Sequence, residues 1–151
     1  MHRGELLISV QEEIEHVKNY VAIEIVCKPN KFDIIYEIDE AILHIPIVKI
    51  ILQPIVENCI KHGFAKKKDK GLITLRGYMD EDFLYFEIID NGKGANENPL
   101  QQDLTTVKGY GLRNVQERIN LHYGKDGIIL FESKLGKGTK ITIKLKLSQF
   151  S

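Results

Sequence analysis

Between residues 139 and 147 the chain alternates without a break. Thr139, Ile141, Ile143, Leu145 and Leu147 fall on one side of an extended strand, and Lys140, Thr142, Lys144 and Lys146 on the other. Strand side chains point to opposite faces with a period of two, so this segment belongs to a sheet with one apolar and one polar face. An apolar face has to be covered, and helical patterns elsewhere in the chain supply the cover. The expected architecture is an α+β two-layer sandwich, a mixed sheet with about three helices packed on one face.

The other elements are read in the same way. Residues 9–27 predict a first helix, with Ser9 and Glu12 in a capping-box pattern and Glu12, Glu13 and Glu15 near the positive end of the helix dipole. Val10, Ile14, Val17 and Val21 form its apolar face, and Pro29 ends it. Residues 32–38 alternate as a strand. Pro46 suits the first turn of a second, mostly buried helix running to His62, capped by Gly63 and bent at Pro54. Residues 66–70 form a charged turn. Residues 72–79 and 83–89 predict a hairpin around Asp80-Glu81-Asp82. Residues 95–108 lack an apolar period and read as a loop. Residues 111–123 predict a third helix, with Leu112, Val115, Ile119 and Tyr123 on one face and Gly124 closing it. Strands at 127–132 and 139–147 finish the sheet.

Bulk properties narrow the function. The 151 residues suit one domain, and 43% apolar with 28% charged residues is a globular balance. Twenty-one basic residues against 21 acidic ones leave no basic footprint for nucleic acid or an anionic membrane. The longest apolar stretch, residues 45–56, is broken by Lys49, Gln53 and Pro54 and is too short to span a bilayer. No signal peptide is recognisable, so a cytoplasmic setting is expected. Cys27 and Cys59 fit neither a metal spacing nor a disulfide framework, and both are expected to be buried small hydrophobes.

Three pieces carry chemistry. Asp90-Asn91-Gly92-Lys93-Gly94 follows a strand: a carboxylate there can accept from an exocyclic amine, and the glycines admit a base and ribose closely. Read by itself, it is also an ordinary turn sequence. On the second helix, Asn58 and Lys61 are three apart and His62 is four from Asn58, so they share a face. The amide offers a neutral oxygen to a hard cation such as Mg2+, and the ammonium a point charge to phosphate. Glu57 either acts as a base, orients water, or pairs with Lys61. Polar residues at a helix end are also common as caps. Finally, Gly109-Tyr110-Gly111-Leu112 opens the third helix, where free N–H groups bind anions. There is no Walker A pattern and no GxGxxG after a strand. In this order, the pieces describe a site for ATP.

The sequence around these residues resembles the ATP-binding family that includes DNA gyrase, the large heat-shock chaperone, the mismatch-repair ATPase and bacterial sensor histidine kinases. Residues 52–63, from Leu52-Gln53-Pro54 through Glu57-Asn58 to Lys61-His62-Gly63, are similar to the N box of the LytS/YesM-type kinases. Asp90-x-Gly92-x-Gly94 resembles the G1 box, Gly109-x-Gly111-Leu112-Arg113-Asn114-Val115 the G2 box, and Gly136-Lys137-Gly138-Thr139 the terminal Gly-Thr turn. The resemblance covers residues 9–147.

It implies a Bergerat-type ATP-binding fold over residues 9–148, with residues 1–8 a remnant of an upstream segment. It implies that Asp90 binds adenine N6 with Thr139 nearby, that Asn58 coordinates Mg2+, and that Lys61 contacts phosphate. Gly92, Gly94, Gly109 and Gly111 shape the pocket, with His62, Tyr110 and Leu112 beside them, and residues 95–108 form a lid. The implied reaction is transfer of the γ-phosphate to a histidine on partner dimerisation helices, with a response regulator served indirectly. The parent protein is then expected to be a membrane sensor, and this piece a monomer. Two departures matter. The position four before Asn58, a general-base Glu in gyrase-like ATPases, is Pro54, so hydrolysis by water should be poor. The acceptor histidine has no counterpart here, since His16 lacks its surroundings. The alternatives are an anti-sigma-type serine kinase of the same fold and a nucleotide-binding module without turnover.

Overall fold

The alternating segments pair as their patterns require. A computed structural model describes residues 6–63, 70–92 and 107–147, and the side chains of all of these except 62, 63 and 107–111. In chain order its elements are β1 (Leu7–Ser9), α1 (Val10–Cys27), β2 (Phe32–Ile38), β3 (Pro46–Val48), α2 (Gln53–Asn58), β4 (Gly71–Asp80), β5 (Phe83–Asp90), α3 (Val107–Tyr123), β6 (Gly127–Lys134) and β7 (Gly138–Lys146). Five strands form one mixed sheet in the order β2-β4-β5-β7-β6, with β2 parallel to β4 and the other pairs antiparallel.

Register sorts the side chains. Leu84 faces Leu145, Phe86 faces Ile143 and Ile88 faces Ile141, and all six are at most 1% exposed. Val10, Ile14, Val17 and Val21 of α1 and Leu112, Val115 and Ile119 of α3 are buried against this face, so the helical stripes meet the strand stripe in one core. Gly77 sits opposite Phe86, and a Cβ there would come within 3.1 Å of the Phe86 ring, so the missing side chain makes room for the phenyl group. The other face keeps its polar residues. Arg76, Tyr78 and Lys140 gather around Glu87, and the Tyr78 hydroxyl donates to its carboxylate at 2.9 Å. The α+β two-layer architecture is the one found.

Ser9 caps α1, its hydroxyl oxygen accepting from the Glu12 N–H at 3.1 Å. The hairpin turns through Glu81 and Asp82, with Asp80 paired to Phe83. Gly124 follows α3 at φ +57°, a left-handed stop that a glycine takes without strain.

The second helix differs from expectation. Pro46 opens β3, which pairs antiparallel with β1 through Leu7–Val48 and Ser9–Pro46, and the helix begins only at Gln53. Pro54 therefore lies in the first turn, where its missing N–H costs no helical bond and bends nothing. Residues 59–63 continue as a π-helical turn. The third helix starts at Val107, four residues before Gly111, so 107 and 108 belong to it and not to the loop. Cys59 is buried as expected, but Cys27 is exposed: it ends the last turn of α1, where Ile23 and Val26 are also exposed. Residues 1–5, 93–106, 148 and most of the charged 66–70 turn lie outside the described residues.

Candidate functional site

Strand register builds one end of the site. Asp90 closes β5 and Thr139 lies near the start of β7, and the two are direct cross-strand partners. Asp90 is 5% exposed, and its Oδ1 accepts the Gly92 N–H at 2.8 Å, which folds the chain back over the strand end. Asn91 fastens the same turn to β4: its N–H donates to the Leu72 carbonyl at 3.2 Å and its Oδ1 accepts from the Leu72 N–H at 2.7 Å.

Gly138 permits this approach. It stands at φ +106°, and a Cβ there would collide with the Asp90 carbonyl oxygen and lie 3.0 Å from the Asn91 Cα. Only glycine fits both the conformation and the space. Beside it, the Ser133 and Thr139 hydroxyl oxygens are 2.9 Å apart, and Ser133 donates to the Gly138 carbonyl at 3.0 Å. An open depression of about 380 Å³ lies against this corner, lined by Ile89, Asp90, Ser133, Gly138 and Thr139 and by the charged Glu132, Lys134, Lys137 and Lys140.

The second end comes from α2 and the turn after it. Asn58 is the last α-helical residue and is half-buried, and Lys61 follows in the π-helical turn with its side chain exposed. A π turn closes bonds five residues apart and widens the helix, a local irregularity that recurs at functional sites. Glu57 and Lys61 approach to 3.9 Å with both side chains partly in water, a contact that contributes little to stability. Of the proposed readings for Glu57, pairing with Lys61 is therefore the geometry seen. Cys59 joins the two ends. Burial pushes its thiol well above the usual cysteine value, and the Asp90 carboxylate, to which the thiol donates a hydrogen bond, raises it further.

The structure thus brings Asp90, Gly92 and Thr139 together and sets Glu57, Asn58 and Lys61 on the neighbouring helix, with Cys59 between the groups. His62 is within the π turn by its backbone. Gly109, Tyr110 and Gly111 lie in the first turns of α3 instead of before it, and Leu112 is fully buried in the core. By position the Gly109 N–H is among the first donors, which have no partner within the helix, whereas the Gly111 N–H falls within the helical ladder. Gly94 and the side chains of His62 and Tyr110 lie outside the described residues.

Sequence reading missed three residues. Ser133 reveals itself only through its cross-strand pairing with Thr139. Cys59 immediately follows Asn58, but only the fold brings its thiol to Asp90. Glu13 lies on α1, far along the chain from any motif. It is 1% exposed, and its carboxylate accepts from three consecutive backbone N–H groups, Ile50 at 3.0 Å, Ile51 at 2.8 Å and Leu52 at 2.9 Å.

Known proteins share both the sequence and the shape. Over 144 residues the chain is 33% identical to the sensor protein LytS of Bacillus cereus, covering 91% of this chain and 24% of that protein. Over 149 residues it is 30% identical to the sensor protein kinase HptS of Staphylococcus aureus, covering 94% and 28%. The chain therefore spans about a quarter of the length of these relatives. Among solved structures, the catalytic domain of the histidine kinase ThkA superposes with a TM-score of 0.68 at 17% identity, covering 93% of each chain. The Acinetobacter baumannii histidine kinase AdeS superposes at 0.69 with 16% identity, covering 95% of this chain and 67% of that one. At these identities the superpositions speak for the fold. Residues 44–149 match the sequence model described as histidine kinase-, DNA gyrase B-, and HSP90-like ATPase, and the chain belongs to that family.

Proposed function

We propose that residues 9–148 form the ATP-binding catalytic domain of a LytS-type sensor histidine kinase. In this reading the domain binds MgATP and presents its γ-phosphate to a histidine on separate dimerisation helices. The observation that carries it is the buried corner of Asp90, Gly138 and Thr139 standing one residue's reach, through Cys59, from the Asn58 and Lys61 helix end.

The chemistry of the corner fits adenine. A carboxylate is acceptor-only, so Asp90 selects the N6 amine of adenine and rejects the O6 carbonyl of guanine. Its N–H donor from Gly92 and its thiol donor from Cys59 hold the carboxylate in place. Thr139, steadied by Ser133, stands beside it. Asn58 supplies one neutral oxygen, and Lys61 one positive charge that the weak contact with Glu57 leaves available for phosphate. The resemblance adds His62, Tyr110 and the glycines 92, 94, 109 and 111 to this site, with Leu112 packed in the core behind it. Among the described residues no group of three or more His, Cys, Asp or Glu side chains could hold a metal ion unaided. A magnesium ion would then depend on Asn58 and on the nucleotide's own oxygens, as hard cations commonly do at phosphate sites. When bound it would neutralise charge on the β- and γ-phosphates.

The transfer requires little from the protein beyond alignment. The lone pair of the acceptor imidazole nitrogen attacks the γ-phosphorus, a P–N bond forms, the bond to the β–γ bridging oxygen breaks, and ADP leaves with that electron pair. A neutral imidazole is already nucleophilic and needs little deprotonation, so the position held by Pro54 can lack a base. The proton on the other ring nitrogen leaves to solvent after the P–N bond has formed. Calorimetric titration with ATP, with and without magnesium and with GTP as control, tests the reading. Tight, magnesium-dependent binding of ATP with little response to GTP is expected, and equal binding of GTP or none of either would overturn it. Phosphate transferred to the helical domain should be acid-labile, and acid-stable phosphate would favour the serine kinase instead.

A further inference from the structure

Glu13 lies outside every motif, yet it makes the densest set of contacts at the start of the N-box helix. Its two carboxylate oxygens accept three successive N–H groups, from Ile50, Ile51 and Leu52. Successive N–H groups converge on one point only when the backbone turns sharply. Ile50 provides that turn at φ +63°, a left-handed conformation that a β-branched residue seldom adopts. The carboxylate is what the three donors are aimed at, an anion held in a backbone concavity inside the protein.

The helix it serves needs such an anchor. α2 is six residues long, and Leu52 before it offers no side-chain cap. A helix so short does not hold its own orientation. Its far end, Glu57 and Asn58, therefore takes its position from the turn at 50–52. The same stripe of α1 also runs within electrostatic range of the far end of that helix. The Tyr20 hydroxyl, two helical turns beyond Glu13, is shielded from water with Glu24 and the Glu57 carboxylate nearby.

We propose that Glu13 is a positioning residue of the nucleotide site, setting Asn58 and Lys61 against the phosphates and metal by fixing the start of their helix, while the adenine corner stands without it. The inference rests on the nucleotide reading above. It makes α1 chiefly part of the phosphate end, because Asp90, Gly138 and Thr139 are paired by sheet register and meet that helix only at the Cys59 thiol among the described residues.

The test compares two ligands on three proteins. MgATP is titrated calorimetrically, and adenosine is titrated by NMR, against the unsubstituted chain, Glu13→Gln and Glu13→Asp, each well below its melting temperature. Glu13→Gln keeps the shape and puts an amide donor against backbone donors. It should weaken MgATP at least tenfold, raise the magnesium concentration needed for half-maximal ATP binding, and change adenosine affinity less than twofold. Glu13→Asp, which keeps the carboxylate, should recover part of the MgATP loss. If Glu13→Gln does not fold, Glu13→Asp is compared alone with the unsubstituted chain, with a smaller loss in the same sense. Equal losses for the two ligands, or a folded variant with unchanged MgATP affinity, would overturn the role of Glu13. No ATP binding by the unsubstituted chain would defeat the nucleotide reading, and with it this one.

Discussion

The two ends of the site are built by different means. The Asp90 corner is a product of the sheet: Asp90 and Thr139 are paired across strands, Gly138 lets the backbones touch, and Ser133 holds Thr139 from the next strand over. The Asn58 end is a short helix and a widened turn, with Lys61 in water and a buried carboxylate from α1 at its start. Sheet register is specified by many residues at once, because a slip by one would turn every apolar side chain to the wrong face. The helix end hangs on a few contacts. The Asp90 corner should accordingly be preformed and stiff, and the Asn58 end adjustable.

The sharpest way to break the comparison is at Asp90. Asp90→Asn replaces an acceptor-only group with one that must present donors as well. Loss of a buried, charge-assisted interaction is worth about 1.5–3 kcal/mol, or more where the amide is repelled. ATP affinity should fall about a hundredfold, while the circular dichroism and melting of the free protein stay close to wild type. Wild-type affinity in a folded Asp90→Asn protein would remove adenine from this corner.

Gly138→Ala attacks the same corner through the backbone. A Cβ would meet the Asp90 carbonyl oxygen, and the φ of +106° suits no other residue. Strain of this kind costs about 1–3 kcal/mol, and the melting temperature should drop by roughly 5–10 °C for a domain of this size. A comparable alanine at Gly136, which is also left-handed but has open space around it, should cost less. Equal losses at the two positions would mean that conformation, not contact with Asp90, is what Gly138 supplies.

Asn58→Asp probes the other end. It leaves the sheet untouched and puts a second charge where a neutral oxygen is expected to meet the metal. The magnesium dependence of ATP binding should shift about tenfold, with adenosine affinity unchanged. A variant with the magnesium dependence of wild type would take Asn58 out of the metal role and leave it a helix-end polar residue.

The same contrast explains what could be read from sequence. The alternation of residues 139–147 and the stripe of Val10, Ile14, Val17 and Val21 are local patterns that tertiary packing endorses, and they gave the sheet, the first helix and the covered face. The run from Ile45 to Val56 carries no such period. Ile47, Ile51, Leu52, Ile55 and Val56 are all fully buried, and a strand and a helix bury equally well. What turns Pro46–Val48 into a strand is its pairing with Leu7–Ser9, some forty residues away, which no local window contains. The motifs that contain Asp90, Asn58 and Lys61 were legible as motifs because each is contiguous. Glu13 was legible only as a first-turn acidic residue, since the N–H groups it receives belong to another element. The difference between Cys27 and Cys59 is likewise a matter of where a helix ends relative to the sheet.

Among the described residues Cys59 is the side chain that belongs to both ends, and it gives the smallest but most selective test. Its folded thiol ionises well above the usual value because it is buried beside Asp90. The folded state thus keeps its proton when the unfolded state, with a thiol near 9, has released it. The stability this contributes is fully present below pH 9 and is lost as the pH rises beyond it, with a limiting slope of about 1.4 kcal/mol per pH unit for one group. Between pH 9 and 10 the thiol alone should take about 1 kcal/mol from the free energy of urea unfolding. The Tyr20, Tyr36, Tyr78 and Tyr123 hydroxyls, all raised from an ordinary value of 10.0, each add a smaller fall that the Cys59 variant keeps. Cys59→Ala should flatten that fall, and Cys27→Ala, at an exposed thiol, should keep it. Equal slopes in wild type and Cys59→Ala would mean that the thiol is not held by Asp90 and that the two ends of the site are not joined there.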